Sequence, residues 1–179
     1  MSEASFSKFE LVRLLQDDGT WLDFESDWRQ QCDEVGEDFD NYAEATLGAV
    51  RDIIEKEAKK AGVFALTMNG IHVAMCQVNS AMLPGYDGPV ARVRFITLSP
   101  TLDYAEGDIS QYAEVMIKLL MHVIKLALNH DEMRSKYVKF HLRSPADTQF
   151  FQAVGKGLND TELFGSVAMR GSWLYIAFK

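Results

Sequence analysis

Apolar positions along the chain switch between a period of two and a period near 3.6, and the switches mark the elements. "FELVRLL", from Phe9 to Leu15, reads as a first strand that ends at the turn-forming Asp17-Asp18-Gly19. Trp21, Phe24, Trp28 and Val35 then fall on one stripe of an amphipathic helix. A second helix is expected from Phe39 to Lys60, with Tyr42, Ala45, Ala49, Ile53 and Ile54 inward and Gly62 closing it. "VFALTM" and "IHVAMCQV" flank Asn69-Gly70, a pair suited to a tight hairpin because both turn positions need positive φ. A third strand is expected over Val90–Leu98 and a long helix over Ile109–Asn129, whose apolar face carries Tyr112, Met116, Leu119, Leu120, Val123 and Ala127.

The next strand spans Tyr137–Leu142, and Ser144-Pro145 then opens a helix with serine as N-cap and proline at the first position. Phe150, Phe151 and Val154 mark the inner face of that helix, and Gly155 or Gly157 its end. "LFGSVAM" and "SWLYIAF" form a last hairpin around Arg170-Gly171. The order β-α-α-β-β-β-α-β-α-β-β predicts one α/β (α+β) domain over 1–179. A meander followed by crossover helices gives a mixed sheet with helices on both faces.

Composition narrows the class. The chain has 179 residues, 47% of them hydrophobic, and a net charge of -8, which argues against general nucleic-acid binding. The start "MSEASFSKFE" lacks the basic segment and apolar run of a signal peptide, so a cytoplasmic, membrane-free protein is expected. Cys32 and Cys76 imply no disulfide framework and read as buried small side chains. Between Asp17 and Glu44 the acids outnumber Arg29, the single base, by a wide margin. That excess suits a cationic small molecule or a basic protein as partner.

The element order resembles the GNAT acyl-CoA N-acyltransferase superfamily. The likeness spans nearly the whole chain and is carried by "RFITLSP", a bend and a long helix, and by "SPADTQFFQAVGK" from Ser144. It implies a mostly antiparallel sheet and transfer of an acyl group from acetyl-CoA or another acyl-CoA to an amine. It also implies that Thr97, Leu98 and Ser99 hold the pantetheine arm, with Gly107, Asp108 and Ile109 beside the pyrophosphate. Ser144 falls where many members carry asparagine, and Phe151 where they carry the tyrosine that protonates the departing thiolate. Phenylalanine cannot donate that proton.

The loop itself departs from the family pattern. "TLDYAEGDI" holds Asp103, Glu106 and Asp108 and no glutamine or arginine at its head. A carboxylate about 5 Å from a phosphate costs roughly 1 to 3 kcal/mol at an effective dielectric of about 80 down to 20. That is about ten-fold or more in affinity at ~1.4 kcal/mol per decade. Asp108-x-x-Gln111 also reads as a capping box.

The catalytic candidates are His141 and His72 as bases, and Tyr104, Tyr112 and Tyr175 as replacement acids. No histidine or cysteine spacing suits zinc, and the loop acids lack EF-hand spacing, so no metal is expected. A non-catalytic module that docks a basic partner through its acidic helices is the alternative, and the final hairpin is able to pair across a homodimer.

Overall fold

A computed structural model describes residues 6–56, 59–105 and 108–179. Its strands are β1 (Phe9–Arg13), β2 (Ala61–Met68), β3 (Ile71–Ala81), β4 (Val90–Leu98), β5 (Tyr137–His141), β6 (Phe164–Arg170) and β7 (Trp173–Phe178). The helices are α1 (Thr20–Val35), α2 (Glu44–Lys56), α3 (Pro100–Asp103), α4 (Ile109–Asn129) and α5 (Pro145–Leu158). The order is the expected one with α3 added, and the seven strands run β1-β2-β3-β4-β5-β7-β6. The sheet is mixed and mostly antiparallel, since β4 and β5 pair in parallel while the other neighbours are antiparallel.

The run Val63–Leu66 of β2 is apolar without alternation because both of its faces are covered. Alternation sends Val63 and Ala65 to one face, where Phe24, Trp28, Leu47 and Val50 of α1 and α2 cover them. Phe64 and Leu66 go to the other face, beneath Val115, Leu119 and Val123 of α4 and Phe151 of α5. A strand covered on both sides reads as a continuous apolar run rather than an alternating one.

Asn69 and Gly70 adopt φ of 52° and 84°, the geometry the hairpin requires. Other boundaries differ from expectation. The second helix starts at Glu44, because Asn41 and Tyr42 donate their backbone N–H groups to the Asp38 carbonyl and Ala43 turns at φ 49°. Gly62 does not close that helix; it lies within β2 opposite Val78. Gly155 and Gly157 both lie inside α5, which runs on to Leu158. In the last hairpin Arg170 pairs with Trp173, which places the turn on Gly171 and Ser172.

One irregularity positions the site. The β3–β4 ladder passes from Gln77↔Arg94 to Met75↔Thr97, so β4 holds one extra residue, and Phe95 within it has φ 55°. Such a bulge bends and twists its strand. Pairing of β4 with β5 stops at Val93↔Phe140, just before the bulge. Beyond it β4 follows β3, while Leu142 donates its N–H to Ser172 and draws its chain toward β7. The sheet therefore parts between β4 and β5.

Phe140, 1% exposed, packs on Phe151 at the inner edge of that parting, so Phe140→Ala is expected to lower stability by about 3–5 kcal/mol. Ile71→Ala, at a site 53% exposed, is expected to stay within about 0.5 kcal/mol. Urea titration of both variants measures the contrast.

Candidate functional site

The parting opens a cavity of about 590 Å³. Ile96, Thr97 and Leu98 of β4 form one wall, and Arg143, Ser144, Ala146 and Asp147 at the start of α5 form the opposite one. Asp108, Ile109, Tyr112 and Met116 close it from α4, and Tyr42, Ala43 and Thr46 from the segment entering α2. Leu102 and Asp103 of α3 also reach it.

Local chemistry fixes each wall. Ser99 donates its N–H to the Val73 carbonyl, so by antiparallel alternation the backbone groups of Leu98 point away from β3, toward the gap. The Leu98 carbonyl accepts from the Tyr42 hydroxyl at 2.9 Å, and Asp103 Oδ2 lies 3.2 Å from the same hydroxyl. Burial pushes the Tyr42 phenol well up, and the Asp103 carboxylate adds to the shift. The Asp108 side chain accepts from the Gln111 N–H at 3.0 Å and caps α4, and Ser144 accepts from Asp147 N–H at 3.0 Å and caps α5. Tyr112 donates to Asp147, tying the first turn of α4 to that of α5 across the gap. Burial first, and that hydrogen bond next, raise the Tyr112 phenol.

Among the described residues, three carboxylates, Asp103, Asp108 and Asp147, thus line a cavity that holds one cation, Arg143, whose Nη1 donates to Thr46 Oγ1 at 2.7 Å. A helix N-terminus attracts anions through its unpaired N–H groups, but here the Asp108 cap takes one of them and adds its own charge.

The expected site residues divide. Thr97, Leu98, Asp108, Ile109 and Ser144 come together around the cavity. Gly107, like Glu106, lies outside the described residues. Ser99 is 1% exposed beneath α3, and Phe151 is packed in the core against Phe140, so neither lines the cavity. Tyr104 donates to Glu37 at 2.7 Å on the surface, a bond that raises its phenol.

His72 sits at the start of β3 with Nδ1 2.7 Å from Asp27 Oδ2, edge-on to Phe24 and apart from the cavity. Burial opposes ionisation of Asp27, but hydrogen bonds from the His72 ring, Gln31 and the His72 N–H overcome it and hold the carboxyl low. His141 rests on Trp173 with ring centroids 4.6 Å apart. Among the described residues no cluster of His, Cys, Asp and Glu could hold a metal ion, and no helix is long and apolar enough to cross a membrane.

Pattern reading assigned Tyr42 and Tyr112 to buried helix faces; Tyr112 does pack from α4, whereas Tyr42 is buried in the turn before α2. The available signal was their polar tip: a buried phenol takes a hydrogen-bond partner, and both hydroxyls find theirs in the cavity wall.

No protein-family model and no curated protein sequence matches this chain. Solved structures do. A probable acetyltransferase from Staphylococcus epidermidis aligns over 96% of this chain and 97% of its own at 12% identity, with a TM-score of 0.51. An N-acetyltransferase from Staphylococcus aureus covers 95% of this chain and 97% of its own at 16% identity and a TM-score of 0.48. The Campylobacter jejuni N-acetyltransferase PseH in complex with acetyl coenzyme A covers 96% and 99% at 12% identity and a TM-score of 0.49. The sheet order, the helices on both faces and the likeness to the first of these give the chain a GNAT-like acetyltransferase fold.

Burial first, then the cations Arg143, Arg94 and Lys139, lowers the His141 pKa. A histidine depressed by folding contributes stability that is complete above its unfolded pKa of about 6.5 and is lost as pH falls through the folded value. Acidification below pH ~6.5 is therefore expected to destabilise the protein, and His141→Gln to flatten part of that slope. His122, lowered chiefly by burial, supplies a share of the same sign that remains in the variant. Urea midpoints across the pH range give the comparison.

Proposed function

We propose that this chain binds an acyl-coenzyme A in the gap between β4 and β5 and transfers the acyl group to an amine. The observation that supports it most is the parting of those two strands beside the capped N-terminus of α4, where the resemblance puts the acyl donor. Ile96, Leu98, Ile109 and Met116 suit the apolar part of a pantetheine arm, and the Leu98 N–H facing the gap suits its amides. The mouth suits the diphosphate less well, because Asp108 stands at the helix end that would receive it.

Acyl-coenzyme A supplies an activated thioester carbonyl, whose C–S bond breaks as the amine nitrogen, having given its ammonium proton to water, forms its bond to carbon; the nitrogen then loses a second proton to water as the amide forms. This chain's residues then have separable tasks. Asp103 and Asp147 favour an acceptor that arrives as a cation, in keeping with the acid-rich stretch Asp17–Glu44. Tyr112, whose hydroxyl donates to Asp147 and whose phenol is raised, holds the wall in place, and the leaving thiolate takes its proton from water.

A second reading has its own observation. The Leu98 carbonyl is already engaged by Tyr42, and three carboxylates face one arginine, an arrangement that suits a non-catalytic module with a basic partner.

Titration calorimetry with acetyl-coenzyme A at millimolar concentration separates the two. Binding supports the acyl-donor site, and no heat and no thermal shift rejects it in favour of the module. If the donor binds, Asp108→Asn keeps a competent N-cap and removes a charge, so affinity is expected to rise by about three- to ten-fold. Unchanged or weaker binding in that variant would contradict the placement of the diphosphate at α4.

A further inference from the structure

Strand register gathers a second group of side chains, away from the cavity just described. Lys139 lies opposite Arg92 on one side and Tyr175 on the other, and Trp173 lies between His141 and Arg170. Arg92 and Arg94 are two residues apart before the bulge, so all these side chains share one sheet face. The intervening Val93, Phe140, Leu174 and Ile176 are buried on the other face with α4 and α5.

The charge of this face opposes that of the chain. Net charge is -8, yet the sequences of β3 to β7 contain no aspartate or glutamate. Among the described residues Arg92, Arg94, Lys139 and Arg170 make no ion pair. Rings stand in for carboxylates: Lys139 Nζ is 4.2 Å from the Trp173 centroid and 4.8 Å from that of Tyr175, and the Arg170 guanidinium is 5.2 Å from Tyr175. Such contacts offset only part of the cost of withdrawing a cation from water. Arg94 Nε donates to Gln77, whereas Arg92 Nε is buried without a hydrogen-bond partner, as is Oδ1 of Asn79 opposite it.

The face also has a hollow of the right size. A cavity of about 380 Å³ lies against it, walled by Tyr86, Tyr137 and Tyr175 with Lys139 and Arg170 at its sides. Tyr86 and Tyr137 meet edge to face at 4.9 Å. Asp87 at the near rim is engaged by Lys136 at 2.7 Å and by the Tyr137 hydroxyl.

We propose that this face is a binding site for a small ring-bearing anion, its carboxylate or phosphate held by Lys139 and Arg170 and its ring by the three tyrosines. Small size follows from the cavity volume, which is at the lower end of ligand pockets. The anionic group follows from Lys139 and Arg170, which line the cavity without an ion-pair partner among the described residues, while the rim carboxylate Asp87 is already held by Lys136. The site does not depend on coenzyme A binding; where acyl transfer operates, it gives the acceptor an anionic tail beside its amine.

Calorimetry at low ionic strength without coenzyme A tests it, with phenyl phosphate and benzoate as probes, inorganic phosphate as the bare anion and benzamide as the neutral ring. Phenyl phosphate or benzoate is expected to bind about ten-fold or more tightly than benzamide, and their order shows which anion is preferred. Lys139→Gln and the exposed Arg170→Gln are each expected to weaken the better probe by about five- to ten-fold, with the thermal midpoint of the free protein little changed. Equal affinity for benzamide, equal affinity for inorganic phosphate, or indifference to both variants would overturn the assignment. So would concentration-dependent dimerisation that Lys139→Gln abolishes, since the face would then be filled by a second copy. Anion binding alongside a failed acetyl-coenzyme A titration would retain this site and reject only the acyl-donor reading.

Discussion

The extra residue in β4 is the constraint on which the rest of the site depends. With Phe95 at positive φ the strand bends where its parallel pairing to β5 ends, and the two edges cannot rejoin. Backbone groups that would have met across the sheet are left facing a cavity. The Tyr42 hydroxyl satisfies the Leu98 carbonyl, and the Tyr112–Asp147 bond bridges the capped ends of α4 and α5. A buried polar group without a partner costs free energy, so a gap of this kind persists only when side chains or a ligand complete its hydrogen bonds. Here side chains complete part of the set and the Leu98 N–H remains directed at the opening.

Charge is sorted by element rather than mixed. The acids of Asp17–Glu44 lie on α1 and the approach to α2, whereas β4 to β7 carry only cations and neutral residues. At the gap the signs mix, with Arg143 among Asp103, Asp108 and Asp147. A net charge of -8 averages over this separation. In the proposed reading the acceptor's amine is drawn toward the carboxylates and its anionic tail toward Lys139 and Arg170.

Much of the fold was legible because local chemistry decides it. Asn69-Gly70 sets its hairpin by backbone conformation alone, and Asp108 and Ser144 cap the helices that their side-chain oxygens favour. Lateral arrangement was not legible. "VARVRF", "YVKFH" and "SWLYIAF" each show alternation, but only the register of β4, β5 and β7 puts Arg92, Lys139 and Tyr175 side by side. The bulge at Phe95 has no local signal, since neither glycine nor asparagine marks it. Gly62 and Gly155 misled for the opposite reason, because glycine punctuates helices often but is also accepted inside a strand or a packed helix.

The central claim is that the opening made by the bulge is where an acyl donor binds. The most direct measurement is backbone-amide chemical-shift mapping during titration with acetyl-coenzyme A. The account predicts saturable shifts confined to Ile96–Leu98, the first turn of α4 and Ser144–Asp147. No shifts, or shifts that leave these segments untouched, would contradict it.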